Sequence, residues 1–285
     1  MRIYLDEKLK RKWRKARWDA GLRVAVWRDP DVDLFFKKLR SSSGGGNNLS
    51  VLPRQRIIYA IVLKAASSRI RRTLCIMAGM RSRSLNPWRW HRIGSPPRMM
   101  SIAPGSFYKL AHDPTALRFS FMRNPYDRLV SCWADKFQDQ PLVESRLFTK
   151  GSRMIDQYLK MRAAVDPSLP HGAGHTLSFP DFVNYATAYG YRGNDGHMRA
   201  QTLALDLPGI SFDFIGKVES FEQDFIRVLD HVNATENMRR RAIGPVNTSR
   251  RSRARQYYTQ EMADRVYRAY EADFDRGEYL RALPG

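Results

Sequence analysis

Residues 56–70 read RIIYAIVLKAASSRI, and the change of character at Lys64 decides the fold. Arg56 to Leu63 is a short, nearly continuous apolar run that stops at a polar turn. Such a run reads as a strand buried on both faces, the kind found in parallel sheets. Helix-compatible residues follow from Arg69 to Met77. The same grammar recurs twice. Leu117 to Met122 (LRFSFM) meets a polar turn and then the helical-looking Tyr126 to Phe137. Ser211 to Gly216 (SFDFIG) leads into Ser220 to Val232, where Ser220 and Gln223 have capping-box spacing. Three strand–turn–helix units predict an α/β fold, a central parallel β-sheet flanked by helices. Near the end, Thr259 is placed to cap a helix through about Phe274, with Met262, Val266, Tyr267 and Tyr270 on one stripe.

The 285 residues suffice to bury a real core, and 43% hydrophobic residues argue against general disorder. Lys and Arg number 49 against 28 Asp and Glu, a formal net charge of +21. That field attracts phosphates, sulfates, acidic glycans, nucleic acid or anionic lipid without choosing among them. Cys75 and Cys132 lack metal-ligand spacing and are too few for a disulfide framework. Their apolar surroundings predict free buried thiols, with one bridge between them left open. No run of 18 apolar residues exists to span a membrane. Met1 to Arg28 is rich in Lys, Arg and Trp and lacks the apolar core of a signal peptide. It reads as a basic helix that either rests on a membrane through Trp13, Trp18 and Trp27 or packs those rings on the domain. The run from Arg40 to Leu49 (RSSSGGGNNL) has linker composition. The expected organisation is a basic segment and flexible linker over residues 1–50, then one domain over 51–285. Arg81 to Ser106, rich in Pro, Arg and Ser, is expected to be a long surface loop.

Two turns carry candidate chemistry. In Val62-Leu-Lys-Ala-Ala-Ser-Ser-Arg-Ile70 a buried strand becomes a helix through small residues, which presents backbone N–H groups at a helix N-terminus. Ala65 and Ala66 let the backbone approach a phosphate, Ser67 and Ser68 offer hydroxyls, and Lys64 brings a charge. This is a P-loop-like strand–loop–helix site without the Walker glycines. In Phe121-Met-Arg-Asn-Pro-Tyr-Asp-Arg-Leu-Val-Ser131 a second strand ends in a turn, with Pro125 at or near the first helical position. Arg123 has the planar fork that suits phosphate, and Ser131 lies about two turns further on. The plain alternatives are ordinary strand–helix packing for the first turn and a salt bridge for Arg123.

Together the two segments resemble the nucleotide signatures of sulfotransferases that use 3′-phosphoadenosine 5′-phosphosulfate (PAPS). The likeness is closest to the carbohydrate sulfotransferases and their bacterial relatives. Phe214-Ile-Gly-Lys-Val-Glu-Ser-Phe-Glu-Gln-Asp224, Asn194-Asp-Gly-His-Met-Arg-Ala-Gln201, Asn247-Thr-Ser, and Tyr270 with Asp273 and Phe274 match further segments in the family's order. Leu63 stands where the family usually has Pro, and Arg69 where Ser, Thr or Asn is common. The resemblance implies that Lys64, Ala65, Ala66, Ser67, Ser68 and Arg69 surround the 5′-phosphosulfate and that Arg123 and Ser131 take the 3′-phosphate. It implies direct in-line transfer to a carbohydrate hydroxyl without a metal. Lys64 would stabilise the leaving oxygen. The candidate bases are His197, by its match to the family pattern, His112, by its place just before the second strand, and Glu219.

An anionic glycan acceptor and peripheral membrane contact would use the remaining basic charge. The missing membrane anchor predicts a cytoplasmic, bacterial enzyme. Two other readings stand beside this one. A nucleotide-dependent phosphotransferase shares the strand–loop–helix design but lacks its glycines and an evident Mg²⁺ carboxylate. A nucleic-acid-binding protein would explain Arg239–Arg241 and Arg250–Arg255, yet no helix-turn-helix, zinc finger or RNP signature is present.

Overall fold

The computed structural model describes residues 7–44, 48–80, 99–136, 138, 178–193, 195–243 and 254–284. In chain order these form α1 (Glu7–Arg28), α2 (Asp31–Ser41), β1 (Leu49–Leu52), β2 (Ile57–Ala60), α3 (Ser67–Met77), α4 (Pro104–His112) and β3 (Leu117–Met122). There follow α5 (Pro125–Lys136), α6 (Phe179–Tyr185), α7 (Gln201–Ala204), β4 (Phe214–Lys217), α8 (Phe221–His231), α9 (Glu236–Ile243) and α10 (Gln260–Gly277). The chain gathers into two compact units. One comprises Met1–Met122 with Gln201–Val246, the other Arg123–Ala200 with Asn247–Gly285.

The first unit holds a four-stranded sheet in the order β1-β2-β3-β4. β2, β3 and β4 are parallel, as the apolar runs predict, and helices flank them. The register Tyr59↔Phe119↔Phe214 lines up three aromatic side chains across neighbouring strands. Their rings stack at 5.0 and 5.6 Å between centroids. Cross-strand aromatic pairs of this kind pin the register, because a one-residue slip would turn the rings to the other face. Gly216 in β4 is dictated by the same packing. A Cβ there would lie 2.6 Å from the ring of Phe121, so only glycine lets β4 close on β3.

The structure departs from the sequence reading at several elements. β1 joins β2 antiparallel, an edge strand where the linker was expected to end. Its four residues, LSVL, are all buried, so burial rather than length makes it a strand. The expected loop Arg81–Ser106 is helical at its end, with a 3₁₀ turn at Met99–Ser101 and α4 starting at Pro104. Residues 81–98 lie outside the described residues. The capping box at Ser220 does not form. The Ser220 hydroxyl instead donates to Asp224 Oδ2 at 2.7 Å, and the same oxygen accepts from the Lys217 N–H at 2.7 Å. With its hydroxyl turned to this charged acceptor, Ser220 makes no side-chain cap bond to the first N–H groups of the helix.

α1 and α2 belong to this unit. α1 packs on α4 through small residues: a Cβ on Gly21 would meet Pro104 at 3.2 Å, and one on Gly105 would meet Ala25 at 3.4 Å. Trp18 is buried edge-on against Phe36 at 5.1 Å, whereas Trp13 and Trp27 are exposed. Cys75, in this unit, and Cys132, in the other, are buried, and neither is part of a disulfide.

The second unit is helical among its described residues. α5 begins at Pro125, where a missing N–H costs nothing. α10 is capped by Thr259, whose side chain accepts from the Met262 N–H. Met262, Val266 and Tyr270 are buried, and Tyr267 is half-buried on the same stripe. Tyr126 packs against Tyr258 and Phe274 at 5.3 and 4.9 Å and donates its hydroxyl to the Arg281 carbonyl at 2.8 Å. α6 runs into a single π-turn at Ala186–Gly190, a local widening that often marks functional positions.

Candidate functional site

Parallel strands expose their C-terminal ends along one edge of a sheet, and ligands of α/β folds gather there. At the end of β2 the chain makes the turn that holds Lys64. Lys64 and Ala66 both take positive φ, 69° and 53°. Left-handed backbone at a non-glycine residue costs about 1–2 kcal/mol, and such strain concentrates at functional turns. Ala65 between them is fully buried and Ser67 nearly so, while Ser68 is exposed. Ala66 is the N-cap of α3 and makes no side-chain cap bond. A methyl group leaves the first N–H groups of the helix, and its positive dipole end, to an outside anion.

Arg69 departs from expectation. Its Nε donates to the Ala242 carbonyl at 2.9 Å, and a terminal nitrogen donates to the Ile243 carbonyl. Its guanidinium lies 4.3 Å from the centre of the Phe221 ring. Arg69 thus ties α3 to the C-terminal carbonyls of α9, where a cation complements the helix dipole. Burial lowers its pKa, an effect opposed by the charge of Glu222.

His112 also stands elsewhere. It ends α4, before β3 begins, at the N-terminal edge of the sheet. There Leu117 N–H pairs with the Arg56 carbonyl at 2.8 Å, and Arg118 makes a two-nitrogen bond to Asp213 at 3.1 and 2.8 Å. The Lys64 turn leaves the opposite edge, and the six residues of β3 span roughly 20 Å between the two. The Nδ1–H of His112 donates to the Tyr108 carbonyl at 2.8 Å, and its ring packs on Phe35 and Tyr108. Those contacts describe a structural histidine.

At the C-terminal edge, the Val218 N–H extends the ladder to the Met122 carbonyl at 2.9 Å. Asp224 holds the following turn through Lys217 and Ser220, and Glu219 is exposed there. Arg123 is the next residue along the chain after Met122.

In the second unit, Asn124 accepts from the Tyr126 N–H at 3.0 Å and so shapes the start of α5. Ser131 lies six residues into that helix, about 9 Å along its axis. Arg128, the second arginine of the motif, is 1% exposed. One of its terminal nitrogens donates to the Gly196 carbonyl at 2.9 Å. Gly196 sits in the loop that carries His197, and other contacts fasten the same loop. The Tyr270 hydroxyl donates to the Met198 carbonyl at 2.7 Å, the Ala200 N–H donates to the Tyr191 carbonyl at 2.8 Å, and Gly190 of the π-turn admits Met198 at close range. Burial raises the pKa of Tyr270, so its hydroxyl stays a donor. The helical backbone breaks at Tyr270, with φ −115° and ψ 19°, where it makes this bond.

Within the loop, Asp195 Oδ1 accepts from His197 Nδ1 at 2.8 Å and from the His197 N–H at 3.0 Å. Burial opposes ionisation of Asp195, but the bonds from His197 and the Arg128 charge prevail and hold its pKa below the ordinary 3.8. With its proton on Nδ1, the neutral imidazole keeps Nε2 as a proton acceptor. An oriented His–Asp pair on a loop clamped at several points is the arrangement a general base requires. Of the histidines singled out by sequence, the structure gives this partner to His197 and not to His112. Sequence reasoning missed Arg128, Tyr270 and Asp224 as supports. Their positions in the matched motifs were the available signal. Among the described residues, no group of three or more His, Cys, Asp or Glu is placed to hold a metal ion.

A profile of the sulfotransferase family matches residues 47–279. The chain is 29% identical over 244 residues to human carbohydrate sulfotransferase 8, covering 82% of this chain and 54% of that protein. It is 26% identical over 193 residues to mouse carbohydrate sulfotransferase 14, covering 67% and 48%. With human carbohydrate sulfotransferase 9 the identity is 26% over 196 residues, covering 68% and 42%. The chain therefore spans about half the length of the curated relatives it matches. No solved structure matches it. From the strand pair that opens the sheet to the end of α10 the match is continuous, and the chain belongs to the sulfotransferase family.

Proposed function

We propose that the protein transfers a sulfuryl group from PAPS to a hydroxyl of a carbohydrate. The observation that carries this reading is the strained Lys64–Ala66 turn. It opens α3 at the C-terminal edge of β2, beside the strand that runs directly into Arg123. In this reading Lys64, Ser67, Ser68 and the first N–H groups of α3 hold the 5′-phosphosulfate, while Arg123 and Ser131 hold the 3′-phosphate. Arg69 acts by bracing the turn against α9. The names of the relatives support a carbohydrate acceptor, and the net charge of +21 favours an anionic one.

His197 takes the acceptor's hydroxyl proton on Nε2, and Asp195 stabilises the imidazolium that results. The acceptor oxygen forms a bond to sulfur as the bond from sulfur to the bridging oxygen breaks. The electron pair and its charge pass to that oxygen, where Lys64 offsets them. Placing a cation where charge develops is the largest common source of rate enhancement.

The test is incubation with radiolabelled PAPS and a panel of sulfate-free and uronate-containing glycans, with ATP and Mg²⁺ in a parallel arm. Labelled glycan from PAPS alone is the expected result. Phosphoryl transfer from ATP with none from PAPS would replace this reading with a phosphotransferase.

A further inference from the structure

Helix α1 has two faces. At 100° per residue, Trp18, Gly21, Leu22 and Ala25 share the side that packs on α2 and α4. Trp13, Ala16, Ala20, Val24 and Trp27 fall within roughly 80° of arc on the opposite side. All five are exposed, Trp13 by 63% and Trp27 by 84%. Exposed cations border this apolar stripe on both flanks, with Lys12 and Arg23 on one and Arg17 and Arg28 on the other. The Arg17 guanidinium lies 5.4 Å from the centre of the Trp13 ring. The helix carries nine Lys and Arg against two acidic residues, and one of those two, Asp19, pairs with Lys15.

Large aromatic side chains exposed on a helix whose other face already serves the core contribute nothing to folding. We infer that this outer face of α1 docks the protein on an anionic lipid bilayer, with α1 lying in the plane of the interface. The chemistry matches point by point. Tryptophan favours the boundary between headgroups and acyl chains, and a thin stripe of Trp, Val and Ala suits shallow insertion. Flanking Lys and Arg keep their charges among anionic headgroups while their stems follow the apolar surface. Alanine at positions 16 and 20 lets the helix backbone come close to the lipid. No helix among the described residues is long and apolar enough to cross a membrane, so the contact is one of lying on the surface. The tight seating of Gly21 on Pro104 and of Ala25 on Gly105 fixes the outward direction of the stripe.

The experiment is cosedimentation of the full chain with vesicles of phosphatidylcholine alone and of phosphatidylcholine with one-third phosphatidylserine, at about 0.1 M salt. The wild type is expected to sediment with the anionic vesicles only. The pair W13A/W27A keeps every charge, and it should lower apparent affinity about tenfold or more. R17Q/R23Q should lower it as well and flatten its salt dependence. Both variants should keep the wild-type melting temperature and the rate on a soluble acceptor. Equal binding of wild type and W13A/W27A would reduce the effect to general charge attraction and overturn the proposal. So would absence of binding to anionic vesicles, or a wild-type dimer in sedimentation velocity that W13A/W27A dissociates.

Discussion

Lys64→Ala is expected to lower the rate of sulfuryl transfer by about 10²–10³-fold, the range seen when one donor is removed from a site of developing charge. The fold should survive, because alanine bears the same left-handed backbone as lysine. Lys64→Gly sharpens the test. Glycine tolerates the φ of 69°, so this variant should be more stable than K64A by up to about 1 kcal/mol and equally inactive. Rates from labelled PAPS, paired with melting temperatures, separate charge from backbone strain. A K64A enzyme with more than half of the wild-type rate would remove Lys64 from the chemistry.

His197→Asn is expected to cost about 10²–10⁴-fold in kcat, the usual worth of a positioned general base. Asp195→Asn should cost a similar amount although it alters one atom. An amide facing Nδ1 favours the tautomer with its proton on Nε2, the nitrogen that must accept one. His112→Gln should leave the rate within about twofold, since the residue stands at the other edge of the sheet. Asp195 also has a stability signature. Its folded pKa lies below the ordinary 3.8, so its ionised form contributes stability that is present above 3.8 and lost as pH falls through the lower folded value. The stability gap between wild type and D195N should therefore be full at neutral pH and close only in stronger acid. Guanidinium melts at several pH values read it directly.

Much of the architecture was legible because its causes are local. The unbroken apolar run at 57–62 had to be a strand covered on both faces, and the small residues after it had to be a tight turn. Pro125 and Thr259 announced helix starts by their own chemistry. What stayed hidden depended on partners far along the chain. Arg69 looked like a phosphate ligand until Ala242 and Ile243, more than 170 residues on, accepted its hydrogen bonds. β1 follows a Gly- and Asn-rich run, and only pairing with β2 makes a strand of its four residues.

The site divided in the same way. His112 lies close to β3 in sequence, yet a helix feeds a parallel strand at its N-terminal end, the edge away from the Lys64 turn. His197 was legible from its matched segment, but Asp195, two residues before it, was not read as its partner. The supports of their loop were also hidden, because Arg128 and Tyr270 bind backbone carbonyls, which carry no residue identity. The Ser220 capping box failed for a local reason. Gln223 has the right spacing, but the Ser220 hydroxyl turns to the charged Asp224 and caps no helix N–H.

The central claim is that the turn after β2 and the turn after β3 hold the two phosphate ends of a single adenosine nucleotide. Calorimetric titration of the wild type and Arg123→Ala with adenosine 3′,5′-bisphosphate and with AMP tests it most directly. The bisphosphate should bind the wild type at least about tenfold more tightly than AMP, since a charge-assisted bidentate bond contributes about 1.5–3 kcal/mol. R123A should lose most of that preference, Ser131 alone retaining a small part. Equal affinities in the wild type, or an undiminished preference for the bisphosphate in R123A, would contradict the account.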